Sequence, residues 1–293
     1  AQRLFAAARA LRELKVDAAV LFPNSFRTAL LARLGGAKRI VGFSRYARGF
    51  LLTDKLFAQT DARGRFVPAP ALDDYNRLAA TLGTTDPGHR MELFTTPADD
   101  ANASEVWDRF DLARYPRVVA LNPGAAFGAA KHWGCDHFAE LARALTARLR
   151  CGVLVLCGPA ERELARQIAE QSRSPHVYPL SDGALSLGLT KALVKRADLL
   201  VTTDSGPRHF AAAFDRPVVS LFGPTHIEWT ETYFAKEVRL QKKLACGPCQ
   251  QRVCPLGHHR CMRELSPASV FDAAVQLLTR CALPLSGEVS RAG

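Results

Sequence analysis

Short apolar runs alternate with helix-like segments through the second half of the chain, and this alternation constrains the fold more than any other feature. The runs are rich in β-branched or aliphatic residues and lie at residues 117–121, 152–156, 176–180, 198–203, 217–222 and 237–240. Helix-like segments lie at residues 136–148, 161–172, 187–196, 207–214 and 266–280. Strands that are apolar on both faces and joined by helices predict a parallel sheet with helices on each side. The pattern predicts a Rossmann-like α/β domain over residues 113–293.

The first half of the chain predicts a smaller unit. It opens on a helix at residues 3–14, and strands at residues 18–22 and 39–43 then flank a helix at residues 25–34. Two strands cannot form a covered parallel sheet, and the chain begins with Ala1 instead of methionine. We therefore expect the chain to start part-way through an N-terminal domain whose first strands are absent. Further helical stretches at residues 72–82 and 101–112, broken by prolines, would lead to the second domain, so the first domain would span residues 1–112.

The composition suits a folded protein of two domains. Hydrophobic residues make up 48% of the 293, and 39 Lys and Arg against 28 Asp and Glu give a formal net charge of +11. This charge favours polyanionic partners or anionic membrane surfaces, although an ordinary basic protein explains it equally well. No apolar run approaches the roughly 20 residues that cross a bilayer, and the start does not resemble a signal peptide. We expect a soluble or peripheral protein of the cytoplasm.

Ligands of an open α/β sheet bind beyond the carboxyl ends of its strands, so the residues that follow each strand are candidate site residues. The strand at residues 117–121 leads into the small-residue loop Asn122-Pro-Gly124-Ala-Ala126 and then Lys131. Small residues let backbone N–H groups approach an anion, and Lys131 could place its ammonium against a phosphate. A plain strand-to-helix loop with a surface lysine explains the segment equally well.

A second junction, Asp204-Ser-Gly-Pro-Arg-His209, follows the strand at residues 198–203. Pro207 suits the first turn of a helix, Gly206 permits close backbone approach, and Ser205 could cap the helix. The helix N-terminus would then offer free N–H donors to a diphosphate. Asp204 could be merely a cap, and His209 could merely pack on the helix. A carboxylate, a hydroxyl and an imidazole at one junction exceed what capping needs, so we favour a functional role.

The third junction, Phe222-Gly-Pro-Thr225, could line a nucleotide or could be a simple Gly-Pro turn. The chain has no Gly-x-x-x-x-Gly-Lys-Ser/Thr loop, no Gly-x-Gly-x-x-Gly opens the domain, and there is no Asp-x-Asp pair. A site that binds a diphosphate here would have to stabilise its charge with lysine and a helix dipole instead of a divalent metal. We therefore expect neither a metal nor a cofactor.

Together and in order along the chain, these segments resemble the heptosyltransferases of glycosyltransferase family nine. The resemblance is carried by residues 21–30, 122–133, 204–209 and 222–225. It implies the GT-B architecture, with two Rossmann-like domains facing a cleft, ADP-heptose as donor and inversion at the anomeric carbon. The cysteine-rich residues 246–261 resemble the branch that adds the second heptose. For that branch the implied acceptor is a lipid-A inner core that already carries one heptose. The protein would reach this acceptor by peripheral contact with the inner membrane.

The resemblance also assigns roles by position. The donor would be held by Asn122, Gly124, Lys131, Asp204, Ser205, Gly206, His209 and Thr225. Ser25 and Arg27 would lie on the acceptor side, where a basic residue could meet phosphates. The chain departs from the family pattern at Gly134, where proline is common, and at Arg208, where an apolar residue is common. The family's catalytic aspartate lies in a Gly-Asp segment that nothing here matches, so we expect the base upstream of Ala1 and assign no catalytic residue.

The cysteine-rich stretch leaves two interpretations open. Its thiols, separated by two, four and six residues, are Cys246, Cys249, Cys254 and Cys261. This spacing, with His258 and His259 inside it, is compatible with a tetrahedral zinc site. We favour a reduced, packed loop, because the implied transfer needs no metal.

Two functional alternatives also remain. One is another GT-B glycosyltransferase that uses a different nucleotide sugar. The other is a zinc-bearing protein that binds nucleic acid. The second is disfavoured because the basic residues are scattered and form no stripe with aromatic residues, so we expect no nucleic-acid partner.

Overall fold

The computed structural model describes residues 2–125 and 127–282, which group into two compact units. The first unit comprises residues 2–90 and 228–232, and the second comprises the other described residues. The contacts thus divide the chain at residue 90, before the predicted limit at residue 112. Within the described ranges, no helix is long and apolar enough to cross a membrane.

The first unit is built on a small parallel sheet. Its elements are α1 (Gln2–Glu13), β1 (Ala18–Leu21), α2 (Phe26–Leu34), β2 (Arg39–Phe43), β3 (Asp54–Leu56) and α3 (Ala71–Ala80). The strands lie in the order β1-β2-β3, and both pairings are parallel. Ile40 and Ala29 are fully buried where α2 packs on this sheet.

The expectation of only two strands was wrong for the described residues, because β3 completes a three-stranded sheet. β3 has three residues and the sequence Asp-Lys-Leu, and none of them is fully buried. Such a short, polar strand carries no apolar signal, so periodicity could not reveal it.

The second unit contains the predicted large parallel sheet. Its elements are α4 (Pro97–Arg109), β4 (Val118–Asn122), α5 (Cys135–Leu149), β5 (Gly152–Val155), α6 (Arg162–Ser172), β6 (Val177–Pro179), α7 (Leu187–Arg196), β7 (Leu199–Thr203), α8 (Gly206–Ala213), β8 (Val218–Phe222), β9 (Glu237–Gln241), α9 (Arg260–Arg263) and α10 (Pro267–Ala282). The strand order is β6-β5-β4-β7-β8-β9, with every pairing parallel. The expected α/β class is confirmed.

Both faces of this sheet are buried, as the apolar strands predicted. Along β4, Val119 and Leu121 pack into a core with α5, α6 and α10, whereas Val118 and Ala120 pack into a second core with α4 and α7. All five residues of β4 are buried. Burying one aliphatic side chain of this size contributes about 1.5–3 kcal/mol, so helical cover on both sides is needed to hold the sheet.

Helix α4 begins four residues earlier than the sequence predicted. Pro97 occupies its first turn, where a missing N–H costs nothing, and Thr96 caps the helix in a capping box with Asp99. Pro97 therefore starts the helix and does not break it. Lys191 of α7 lies 3.4 Å from the Asp99 carboxylate, which ties α4 to α7 within the second unit.

Candidate functional site

The candidate site lies where the large sheet reverses its strand order. The chain runs outward from β4 to β6, returns to the other side of β4, and continues from β7 to β9. β4 and β7 are therefore the pair at the topological switch point, where open α/β sheets bind ligands. An open cavity of about 480 Å³ lies at their carboxyl ends and is lined by residues that include Asn122, Gly124, Ser205, Gly206 and Pro207.

Lys131, Asp204 and Thr225 form a buried polar cluster at this edge. Lys131 Nζ donates to Asp204 Oδ2 at 2.5 Å and to the Asp204 main-chain oxygen at 2.9 Å. Thr225 Oγ1 donates to the same carboxylate oxygen at 2.8 Å. All three residues are at most 8% exposed. The loops after β4, β7 and β8, which the sequence singled out separately, thus meet at one carboxylate.

Asn122 and Ser205 join β4 to β7 beside this cluster. Asn122 Nδ2 donates to Thr202 Oγ1 and to Ser205 Oγ, both at 3.0 Å. Thr203 Oγ1 donates to the main-chain oxygen of Gly124 at 2.7 Å. The expected side-chain cap by Ser205 was wrong: Ser205 stands at the N-cap position of α8, but its hydroxyl makes no cap hydrogen bond. That hydroxyl is instead engaged by Asn122.

The start of α8, for which the sequence predicts a diphosphate ligand, lies at the cavity. Gly206 is exposed, and a Cβ placed there would meet no atom within 4 Å. The first turn of a helix carries N–H groups without helical partners and a partial positive charge. Ala126, the last residue of the loop proposed for the phosphate, lies outside the described residues.

His209 lies one turn into α8 and is half-buried. Burial lowers the pKa of its imidazole below the ordinary 6.5, and the neighbouring Arg208 guanidinium lowers it further. Asp204 and Glu237 oppose that shift without reversing it. His209 is therefore neutral at pH 7, so it can donate one hydrogen bond but brings no charge to a phosphate.

Arg208, a departure from the family pattern, forms a buried ion pair. Its Nε donates to Glu237 Oε1 at 2.5 Å and its Nη2 donates to Glu237 Oε2 at 3.0 Å, with both side chains at most 2% exposed. Ser220 Oγ of β8 donates to the same carboxylate at 2.5 Å. The pair joins the first turn of α8 to β9 and gives Arg208 a structural role.

Sequence reasoning missed Glu161, whose carboxylate lines the same cavity. Glu161 Oε2 accepts a hydrogen bond from the Gly158 N–H at 2.8 Å. A Cβ at Gly124 would meet this carboxylate, so the backbone of the loop after β4 lies close to the Glu161 side chain. The segment Gly158-Pro-Ala-Glu161 follows β5 closely. A search for site residues after the end of β5 could therefore have found Glu161.

The cysteine-rich loop at residues 246–261 braces the segment that carries Lys131. The Ala130 N–H donates to the Arg252 main-chain oxygen at 3.0 Å, and Arg252 Nη1 donates to the Phe127 oxygen at 3.2 Å. His259 Nε2 lies 2.7 Å from the Ala130 oxygen. Gly128 has φ +151°, and a Cβ there would lie 2.5 Å from the Arg252 oxygen. The loop thus fixes both ends of the short turn before Lys131.

The four thiols of that loop line one small cavity of about 30 Å³ together with His258. Cys246 Sγ lies 3.8 Å from His258 Nε2. Across residues 2–125 and 127–282, no three His, Cys, Asp or Glu side chains are grouped as a metal site would need. Backbone N–H groups lower the pKa of Cys254, whereas burial raises the pKa of Cys261.

The first unit has its own cavity, of about 280 Å³, at the carboxyl ends of its strands. Asn24, Arg45 and several aromatic rings line it. Ser25, which the sequence placed on the acceptor side, caps α2 by accepting from the Thr28 N–H at 3.2 Å. Arg27 is exposed on α2. Neither is among the described residues that line this cavity.

Residues 4–260 match the family described as glycosyltransferase family 9 (heptosyltransferase). The chain is 36% identical over 166 residues to lipooligosaccharide heptosyltransferase 2 of Campylobacter jejuni subsp. jejuni serotype O:2, which covers 55% of this chain and 51% of that protein. It is 29% identical over 280 residues to lipopolysaccharide heptosyltransferase 2 of Salmonella typhimurium, and this match covers 92% of this chain and 77% of that protein.

The matched part of the chain spans about half the length of the Campylobacter relative and about three quarters of the Salmonella relative. The solved structure of Escherichia coli ADP-heptose LPS heptosyltransferase II superposes with a TM-score of 0.71 at 24% identity, over 96% of this chain and 82% of that one. That likeness shows a shared fold. Since the family match takes in most of the 293 residues, the chain belongs to glycosyltransferase family 9, the heptosyltransferases.

Proposed function

We propose that the protein transfers a heptose from ADP-heptose to the inner core of lipopolysaccharide, with inversion and without a metal ion. The acceptor in this proposal is a lipid-A core that already carries one heptose. The observation that supports it most is the buried Lys131–Asp204–Thr225 cluster at the β4–β7 switch point, beside a cavity of about 480 Å³. The relatives named above are a lipooligosaccharide and a lipopolysaccharide heptosyltransferase 2.

Lys131 supplies the charge that a departing diphosphate needs. An ammonium has three N–H donors, and two of those of Lys131 are directed at Asp204. Its third N–H has no hydrogen-bond acceptor among the described residues and is available to a phosphate oxygen. The N-terminus of α8 adds backbone donors on the same edge. These fixed donors stabilise the charge that develops as the glycosidic bond breaks.

The nucleoside half of the donor fits the other part of the cavity. Glu161 presents a carboxylate there, and a carboxylate accepts hydrogen bonds from the adjacent hydroxyls of a ribose. Leu185 and Leu187 add apolar surface to the same lining, which suits a purine ring. We therefore place the ribose at Glu161 and the diphosphate between Lys131 and α8.

No residue of the second unit is assigned as the base. Asp204 is the nearest carboxylate to Lys131, but its Oδ2 already accepts from Lys131 and Thr225. With Oδ2 held by these two donors, the carboxylate is committed to Lys131 and Thr225 and not to the hydroxyl of an incoming acceptor. Asp204 instead orients Lys131.

The experiment is a transfer assay with mass analysis of the product. Truncated lipopolysaccharide that carries one heptose is incubated with ADP-heptose, and the expected product is heavier by one heptose. The same core without that heptose tests the acceptor, and other nucleotide sugars test the donor. Transfer from a different nucleotide sugar alone would replace the proposal by another glycosyl transfer. Unchanged turnover in excess EDTA is expected, and loss of turnover would contradict metal independence.

We also propose peripheral contact with an anionic membrane, because the acceptor is embedded in one. Each Lys or Arg close to such a surface contributes on the order of 1 kcal/mol. Sedimentation with vesicles containing anionic lipid should therefore be weak at low salt and lost at high salt. Binding that persists in high salt would require an apolar contact instead.

A further inference from the structure

We propose that Arg252 of the cysteine-rich loop contacts the sugar-linked phosphate of the donor and acts, beside Lys131, as a second catalytic cation for the departing diphosphate. This assignment rests on the proposed function, because it takes a nucleotide sugar as the donor. Both cations lie near one aromatic ring: Lys131 Nζ is 4.9 Å and Arg252 Cζ is 5.2 Å from the centroid of the Phe127 ring. Phe127 comes two residues after Ala125, which lines the cavity of about 480 Å³.

Two other cations near the start of α8 already have carboxylate partners. Lys131 pairs with Asp204, and Arg208 pairs with Glu237. Arg252 forms no ion pair with any described residue. The charge of Lys131 is therefore partly offset by its own carboxylate, whereas the charge of Arg252 is not. A departing diphosphate carries more than one negative charge, so a transfer without a metal ion needs such a cation.

The side chain of Arg252 is exposed, but it is held in place. Its Nη1 donates to the main-chain oxygen of Phe127 at 3.2 Å, and its guanidinium lies over the ring of the same residue. A guanidinium has five N–H donors, and the others of Arg252 have no acceptor among the described residues. Exposed donors with a fixed orientation suit a phosphate, because a guanidinium can bind two phosphate oxygens at once.

The main chain of Arg252 is bonded to the turn before Lys131. Its oxygen accepts from the Ala130 N–H at 3.0 Å, so the backbone keeps the two cations near each other. Gln250, in the same segment, has a buried Nε2 without a hydrogen-bond partner among the described residues. A buried donor without an acceptor is unfavourable, and an anionic ligand nearby offsets that cost. The segment thus presents donors that lack acceptors.

The sugar-linked phosphate is the closer of the two phosphates to this pair. Gly124, at the start of the same loop, lies against the Glu161 carboxylate, where we place the ribose. Phe127 and Lys131 follow along the loop, away from that carboxylate in sequence. We therefore assign Arg252 to the phosphate that is farther from the ribose, which is the one that leaves the sugar carbon. The bond between that carbon and the phosphate oxygen breaks, and its electron pair stays on this oxygen.

Nucleotide binding tests the assignment in the whole protein. ADP, AMP and adenosine are titrated by calorimetry in excess EDTA. Arg252→Gln should weaken ADP binding at least about fivefold, because a charged hydrogen bond to the terminal phosphate is lost. Binding of AMP and adenosine should weaken less than about twofold, since neither carries that phosphate. A displaced loop would instead weaken ADP and AMP equally, so the comparison separates contact from a structural role.

Two further variants serve as controls. Arg263→Gln removes one positive charge from an exposed position on α9 and should leave all three affinities unchanged. Arg252→Lys keeps the charge but loses the paired donors, so it should restore part of the ADP affinity. At saturating ADP-heptose, turnover should also fall at least about fivefold in Arg252→Gln, because the contact strengthens as the phosphate gains charge.

Three results would overturn the inference: wild-type ADP affinity in Arg252→Gln, equal losses of ADP and AMP, or a raised KM for the acceptor with unchanged ADP affinity. The last result would assign Arg252 to an anionic group of the acceptor. Selective loss of ADP affinity in a protein that transfers no heptose would support the inference and contradict the proposed function alone. Absence of ADP binding in the wild type would overturn both.

Discussion

Lys131 Nζ donates to both the carboxylate and the main-chain oxygen of Asp204, at 2.5 and 2.9 Å, so one side chain ties the loop after β4 to the loop after β7. Both side chains are at most 10% exposed. The lysine is therefore placed before any ligand arrives, and no large rearrangement is needed to bring its charge to the cavity. Preorganised charge of this kind is the largest single contribution in many active sites.

Replacement of Lys131 tests that role. Lys131→Ala should lower turnover and ADP affinity by at least about tenfold, equivalent to about 1.4 kcal/mol, because a phosphate loses its charged donor. Removing one partner of a buried pair also destabilises a protein by roughly 3–5 kcal/mol, so circular dichroism must show that the variant is folded in the assay. Lys195→Ala is the control, since Lys195 pairs with Asp100 on α4. Wild-type turnover in folded Lys131→Ala would remove Lys131 from the mechanism.

The brace on the Lys131 loop makes a second prediction. Gly128→Ala should reduce ADP affinity at least about tenfold, because the new Cβ would lie 2.5 Å from the Arg252 oxygen at a φ of +151°. The turn must shift, and Lys131 shifts with it. Gly247→Ala in the cysteine-rich loop has open space around its Cβ and serves as the matched control. Calorimetric titration with ADP measures both, and equal affinities would show that the brace does not position Lys131.

Acidification should destabilise the second unit through His209. The folded protein holds the pKa of His209 below 6.5 by burial and by Arg208, so the unfolded chain binds the proton more readily. The stability linked to this residue is present above pH 6.5 and is lost as the pH falls through the folded value. Urea unfolding at pH 7.5 and 5.5 should show a smaller loss in His209→Asn than in the wild type. An identical loss in both would refute the linkage.

The cysteine-rich loop should contain reduced thiols and no stoichiometric metal. The four thiols share one small cavity, yet within residues 2–125 and 127–282 no three side chains are grouped as metal ligands. Protein purified without chelator should show less than about 0.1 zinc per chain by elemental analysis. Cys246, the most exposed of the four, should react readily with Ellman's reagent. One zinc per chain, with thiols protected until chelator is added, would establish the site that the spacing allows.

The large sheet was predictable because its signal is local. Six apolar runs mark β4 to β9, and each predicted strand overlaps an observed one. The strand-end rule then identified Asn122, Lys131, Asp204 and Thr225, which the structure brings to one edge. Their proximity follows from the parallel sheet alone, because the carboxyl ends of parallel strands lie at the same edge.

The remaining features depend on contacts between distant residues. In the sequence, nothing distinguishes Arg48 from other basic residues. Only the fold buries it among the carbonyl groups of Pro23, Ser25 and Phe43. Gly134 has φ +114° before α5, a conformation that proline cannot adopt. β3 is too short and polar for periodicity to detect.

The pairing of Arg208 with Glu237 controls which strand alignment the folding chain accepts. Glu237 opens the edge strand β9, where it pairs with Val218 of β8. Successive side chains of a strand point to opposite faces, so a slip of β9 by one residue would turn this carboxylate away from Arg208. The fully buried guanidinium would then lose its counterion. An unpaired buried charge destabilises a protein far more than an uncharged side chain at the same place. The ion pair has little net effect on stability, but it excludes misaligned pairings of β9 with β8. Edge strands are the strands in which misaligned pairing forms most easily.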